Sequence, residues 1–341
     1  WGEFTGRVVT EWSPKIDFTD QSMLYASFSH GYKGGGANPP GIGYSTVPLP
    51  LFNLLVAQTL PYPLLFKPEF INAYEAGTKN TMLDSSLTFN GDVFYYDYKN
   101  YQISQIKSRT AVNENFDAKI WGGEIEASYE PIPGLRFNFS SGYEHTRVAD
   151  GQKSIDEMDL TDGDPNWVVV RPPIPLPDSC IVPAAMIAQI VAANHADPYN
   201  TDPVYGEAQG ITPSCPGSQL LSRSPSQTLS LGFDQSTWPN GGAGIAKDLS
   251  GHELPNSPHF TMSIGAQYGM PINEDWAGLV RADFYLQTGS WARIYNDDPY
   301  DRLHGYTNLN ITIDIIKSDG LQFEAYVKNV VNTTAITGAF L

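Results

Sequence analysis

Long apolar runs are absent from this 341-residue chain. No stretch offers the ~18 or more uninterrupted apolar residues of a membrane-crossing helix, so a helical span is excluded. Charge is scarce: Asp, Glu, Lys and Arg make up 17% of the residues, against a usual ~25%. Basic residues are scarcest, 20 against 37 acidic ones, for a net charge of −17. A nucleic-acid partner is thereby disfavoured, because phosphate binding needs a basic face. There is no initiator Met and no charged-then-apolar leader, so the amino terminus reads as truncated or processed. G-x-S-x-G, the Walker phosphate loop and H-E-x-x-H are all missing. Gly241–Lys247 (GGAGIAK) has the wrong spacing for a phosphate loop. The six histidines (30, 145, 195, 252, 259 and 304) form no i,i+4 pair suited to a metal. We therefore expect neither catalytic residues, nor a metal, nor a cofactor.

Period two dominates what is there. Leu135, Phe137 and Phe139 alternate with Arg136, Asn138 and Ser140; Phe260 to Tyr268 and Leu309 to Ile315 alternate in the same way. Side chains alternate across a strand, so each segment has one apolar and one polar face. Ten such strands are expected, near 4–13, 21–32, 70–80, 86–107, 116–131, 134–148, 257–270, 276–294, 305–317 and 320–331. Several exceed the ~5–6 residues of an ordinary strand. Connections alternate between tight turns and long excursions, 33–69 and 149–256 being the longest, with a medium loop over 108–115. Strands of this length with loops of this asymmetry describe an all-β transmembrane antiparallel barrel, with short periplasmic turns and long outer loops. Trp12, Tyr25, Tyr95, Trp121, Tyr129, Tyr143, Tyr268, Trp276, Trp291 and Tyr295 fall towards strand ends, as interfacial aromatic girdles do. If the long loops are external, the tenth strand ends outside. Even strand counts with periplasmic termini then imply a piece of a larger barrel, since lipid tolerates no open sheet edge.

The words themselves carry a resemblance. Ser22–Gly36 (SMLYASFSHGYKGGG), Pro68–Lys79 (PEFINAYEAGTK), Val93–Lys99 (VFYYDYK), Gly122–Ala127 (GGEIEA), Leu254–Pro258 (LPNSP) and Tyr326–Val330 (YVKNV) occur in this order. Together they resemble the carboxy-terminal half of the barrel of TonB-dependent outer-membrane receptors. The resemblance implies a 22-stranded barrel, of which these strands correspond to numbers twelve to twenty-one, with residues 1–341 forming part of one barrel domain. It also implies an amino-terminal plug and TonB box, neither of which is present here, and contacts with outer-membrane lipid, lipopolysaccharide and, through that plug, the TonB complex. The function it implies is active uptake of a scarce small ligand such as a ferric siderophore or a glycan. A passive porin-like channel and a barrel enzyme are the competing functions; the enzyme lacks a nucleophile–base pair on adjacent strand ends.

Candidate ligand contacts lie at outer strand ends: Tyr32, Lys33, Arg293, Tyr295, Tyr300, Arg302 and His304. Aromatic faces with Arg donors suit an anionic siderophore or an oligosaccharide, and girdle or loop packing is the ordinary alternative. Cys180 and Cys215, the only cysteines, are expected to form a disulfide within the external excursion. Residues 183–196 have helical spacing. Segment 149–256 carries 13 acidic and four basic residues, which reads as a solvated surface or a mouth favouring cationic cargo. Residues 49–66 (LPLFNLLVAQTLPYPLLF) are apolar but broken by proline, and are expected to fold inward as a lid.

Overall fold

The computed structural model describes residues 2–39, 63–107, 110–170, 179–189, 192 and 237–338. Its strands, in chain order, are β1 Gly6–Trp12, β2 Gln21–Lys33, β3 Gly36–Ala37, β4 Leu65–Phe66, β5 Glu69–Met82, β6 Leu87–Lys107, β7 Thr110–Ile132, β8 Leu135–Val148 and β9 Lys153–Ile155. Next come β10 Trp167–Val170, β11 Cys180–Pro183, β12 Ala246–Asp248, β13 Phe260–Pro271, β14 Trp276–Gln287, β15 Ser290–Trp291, β16 Arg302–Leu303, β17 Tyr306–Lys317 and β18 Gln322–Val327. Ten of them form one antiparallel sheet, ordered β1-β2-β5-β6-β7-β8-β13-β14-β17-β18. Each wall strand pairs with its predecessor in the chain. β1 and β18 are the two edges.

Register aligns the alternating faces across the whole wall. Phe28 pairs with Tyr74, Tyr74 with Tyr95, and Tyr95 with Trp121. Farther along, Phe139 pairs with Ile264, Ile264 with Phe284, and Phe284 with Leu309. One row is therefore apolar from strand to strand, as a lipid-facing surface requires. The opposite row carries Glu75, Asp92, Glu124 and Glu126 together with Lys79, Arg136, Arg281 and Asp283, which suits a wet lumen. Trp121 and Tyr129 mark the two ends of the apolar row on β7. Eight positions span ~27 Å along a strand, close to the ~25 Å apolar band of tilted barrel strands. Among the described residues no helix is long and apolar enough to cross a membrane.

Three of the expected girdle aromatics lie elsewhere. Tyr25 is on the polar row and donates to Glu75 Oε1 at 2.5 Å. Trp291 lies in β15 above the wall, under the Arg302 guanidinium. Tyr295 is buried in loop packing. Nearness to a strand end in sequence did not distinguish the two faces.

The expected loop over 108–115 is largely strand, because the β6–β7 ladder runs on to Lys107↔Thr110. Its outer part has polar residues on both faces (Asn113, Glu114, Asn115), so no period-two signal marks it. β6 holds 21 residues; at ~3.4 Å each it extends well beyond a ~30 Å hydrocarbon core.

The dry core lies not in the wall but in a cap over its outer end. Ile103, Phe116, Ala118 and Ile120 on β6 and β7 pack with Val148, Leu249, Leu254, Ile294 and Tyr295. A second cluster joins Val170, Cys180, Val182 and Trp238, and a third joins Ile155, Leu160 and Ile181. The 149–256 excursion is thus partly a folded unit. β9 pairs with β12 and β10 with β11. Within the expected helix, Ala184–Met186 form a 3-10 turn that continues as helix through residue 189. Residues 193–196 of that segment, and residues 49–62 of the expected lid, lie outside the described residues.

Candidate functional site

The outer mouth is built where the cap meets the wall. β14 ends at Gln287, and the chain rises through β15 and returns through β16 to β17. This excursion faces β9 and the tall β6–β7 hairpin, and charged residues fill the contact. Arg293 donates from Nη1 to Asp156 Oδ1 and from Nε to Asp301 Oδ1, each at 2.5 Å. Asp301 Oδ2 in turn accepts from the Asp297 backbone N–H at 3.0 Å. Lys247 of β12 pairs with Asp297. One step deeper, Lys107 Nζ, only 1% exposed, lies 2.9 Å from Glu114 Oε2 and donates to Ser154 Oγ at 2.8 Å. Ser154 Oγ lies 3.0 Å from the Tyr295 hydroxyl, which donates to the Ile155 carbonyl at 2.6 Å. Two hairpins and the excursion are joined through hydrogen-bonded charges.

Burial sets the protonation preferences. It raises the Asp156 carboxyl above its ordinary value against the opposing pull of Arg293. Asp156 Oδ2 has no donor, and the nearby Asp297 carboxyl adds to the upward shift. For Arg293, burial alone favours the neutral form, but its bonds to Asp156 and Asp301 outweigh that and raise it. Tyr295 is raised by burial and by the Glu114 charge. Arg293 is therefore a fixed cation, and Tyr295 a neutral donor.

Beside this network lies a cavity of ≈ 310 Å³, lined by Ile103, Gln105, Ile106, Asp156, Arg293 and Tyr295 among others. A second concavity of ≈ 420 Å³ lies on the wall, where Asn90, Glu126, Asn138, Ser263, Arg281 and Asp283 present polar groups. Arg281 grips Asp283 through two bonds of 2.7 Å. These groups can hold a polar solute by hydrogen bonds.

The seven candidate contacts divide. Arg293 and Tyr295 are joined, with the guanidinium 5.2 Å from the Tyr295 ring centroid, but both are committed to the cap network. Tyr300 is 84% exposed. Arg302 lies 4.8 Å above the Trp291 ring, and His304 is exposed on the same excursion. Lys33 is exposed at the top of β2. Tyr32 falls in the apolar row and stacks on Phe70 at 6.3 Å, beside the wall and not in the mouth. Asp156 and Lys107, from segments with no recognisable motif, were not anticipated. Two of the histidines that show no metal spacing in the chain meet in space: His145 and His259 stand 5.2 Å apart, ring to ring, with Glu253 beside them. Positions 114 apart in the chain leave no spacing signal. Cys180 is buried in the second cap cluster, and Cys215 lies outside the described residues.

Among solved structures the chain is similar to the ferric yersiniabactin uptake receptor FyuA from Yersinia pestis, at 14% identity and a TM-score of 0.55, over 99% of this chain and 33% of that one. It is likewise similar to the siderophore receptor PiuA from Acinetobacter baumannii, at 13% identity and a TM-score of 0.52, over 98% of this chain and 33% of that one. At such identities the likeness is one of fold, and the chain spans about a third of the length of each. The model of the TonB dependent receptor-like β-barrel matches residues 2–330, which takes in all ten wall strands and the cap, and the chain belongs to that family.

Proposed function

We propose that residues 1–341 are part of the barrel domain of an outer-membrane receptor for active uptake, supplying wall and external loops. Its cargo is a scarce small ligand, with a ferric siderophore as the leading class. Energy comes from the TonB complex acting through a plug domain outside these residues, and further strands close a barrel of 22. Lipid and lipopolysaccharide bathe the apolar row. The observation that carries this reading is the family match over residues 2–330, on a wall whose polar row is continuous below a folded cap.

On this reading Lys33, Tyr300, Arg302 and His304 meet the ligand first, since they are exposed and take no part in the ion-pair network around Arg293. Tyr32 anchors the wall at the interface. Arg293 and Tyr295 shape the rim beneath. The Cys180–Cys215 disulfide belongs to the proposal as the tether of the excursion: Cys180 is 1% exposed, and no cysteine among the described residues is free. No catalytic step is assigned.

The test is uptake of a radiolabelled ferric siderophore under iron limitation, in a strain deleted for the full-length receptor and complemented with it, with and without a functional TonB. Uptake that requires both supports the proposal. TonB-independent, non-saturating flux with open conductance in a planar bilayer would establish the passive channel instead.

A further inference from the structure

On β8 the apolar row ends at its outer edge in His145, opposite Trp121. Along that row the aromatic contacts run Phe28–Tyr74 at 5.1 Å and Tyr74–Tyr95 at 6.3 Å between ring centroids. Tyr95 then pairs with Trp121 across the ladder. Trp121 covers His145 at 4.3 Å, and His145 stands 5.2 Å from His259. A line of tyrosine and tryptophan at a membrane interface thus terminates in two imidazoles and one carboxylate.

The ligating atoms of His145, Glu253 and His259 all lie within 4.8 Å of one another. His259 Nε2 is 2.9 Å from Glu253 Oε1. That nitrogen is buried yet makes no aligned hydrogen bond. The backbone at each ligand is held from outside the cluster. His145 lies in the β7–β8 ladder opposite Trp121. The His259 carbonyl accepts from the Glu144 N–H at 2.9 Å. The Glu253 N–H donates to Asn296 Oδ1 at 2.7 Å, and the next N–H, that of Leu254, to Thr146 Oγ1 at 2.9 Å. Three donors of the right kind are therefore presented by a rigid frame, and half-buried side chains leave a face open for a fourth, exogenous ligand.

We propose that His145, Glu253 and His259 form a site for one borderline transition-metal dication, Zn²⁺ being the type case, at the outer rim of the wall. Two imidazoles and a carboxylate suit Zn²⁺ in preference to Mg²⁺ or Ca²⁺, which take oxygen donors. Bond lengths of ~2.0–2.2 Å place tetrahedral ligand atoms roughly 3.4 Å apart; His259 Nε2 and Glu253 Oε1 now stand 2.9 Å apart and all three atoms lie within 4.8 Å, so small side-chain rotations complete the site. The ion ties the returning end of the 149–256 excursion to β8. This site is independent of the cargo and of the energised step.

The test uses the full-length receptor, purified in detergent and stripped with chelator, with ZnCl₂ as the probe and CaCl₂ as the hard-cation control. Calorimetry is expected to show one Zn²⁺ equivalent that is lost in H145A/H259A and not reproduced by Ca²⁺. In E253Q, which keeps the side-chain volume, affinity is expected to fall by at least ~10-fold. Co²⁺ loaded in place of Zn²⁺ is expected to give the intense visible absorption of a low-coordinate ion, and the double variant not to. Zn²⁺ binding of unchanged stoichiometry and affinity in both E253Q and the double variant would overturn the proposal. So would the absence of any Zn²⁺ binding by the wild-type receptor.

Discussion

Arg293 and Asp156 stand 137 positions apart, and the structure brings Nη1 to within 2.5 Å of Oδ1, with the carboxylate 1% exposed. The pair joins the 288–305 excursion to the residue that follows β9 at the start of the large outer segment, so the cap and the rim of the wall form one charged junction.

Removing the cation leaves that carboxylate buried without its counter-charge, held only by the Met158 N–H at 2.9 Å. Breaking a buried pair from one side costs about 3–5 kcal/mol. Arg293→Met is expected to loosen the cap and leave the wall strands intact. Hydrogen exchange checks this: amides of Lys153–Ile155 and Ala246–Asp248 should lose protection, while those of Phe260–Pro271 should not. Loss of protection in the wall as well would show that the junction also supports the sheet.

The same aspartate gives the cap a pH dependence. Asp156 is raised in the folded protein, so the folded state holds its proton more tightly than the unfolded chain does. Ionisation at neutral pH then opposes folding. That opposition is relieved as pH falls through the raised folded value, and is gone below the ordinary carboxylate value. Asp156→Asn, which cannot ionise, is expected to abolish this part of the dependence. Cap protection as a function of pH, wild type minus variant, reads it. A flat difference curve would mean that Arg293 fully compensates the burial.

The wall makes its own demands. A Cβ at Gly122 would sit 2.0 Å from the Tyr143 carbonyl oxygen and 2.8 Å from the Phe94 ring. Overpacking of this kind costs ~1–3 kcal/mol or more. At Gly142 the nearest atom is Thr261 Oγ1 at 3.4 Å. Gly122→Ala is expected to lower the yield of folded receptor in the outer membrane, and Gly142→Ala to leave it near wild type. Yields measured by heat-modifiable mobility in gels decide between them.

The two rows are expected to respond differently to charge. Ile311 lies mid-strand in the apolar row, opposite Ala282 and Val327. Arg near the bilayer midplane of a barrel costs ~2–4 kcal/mol, so Ile311→Arg should shift the urea midpoint of folding into vesicles. Ser263→Lys, on the polar row, should not. Equal shifts would contradict the assignment of faces.

Much of the wall was legible in the sequence. Leu135 to Ser140 and Leu309 to Ile315 show the alternation because lipid on one side and water on the other impose it locally, residue by residue. The 110–115 stretch reads as loop because polar residues fall on both its faces and no alternation marks it, although Val112 and Glu114 pack under the cap. Tyr25 was placed in a girdle because tyrosine suits both an interface and a lumen; only its bond to Glu75 tells them apart.

What the sequence determined by itself is the barrel wall: strand number, direction and the partition of faces follow from a period that every short window carries. Tertiary structure alone decided the cap junction at Arg293 and Asp156, the withdrawal of Tyr295 from the surface, and the meeting of His145, Glu253 and His259. These depend on which distant segments close against one another, and such closure leaves no periodic mark because each partner's environment is supplied by residues far away in the chain.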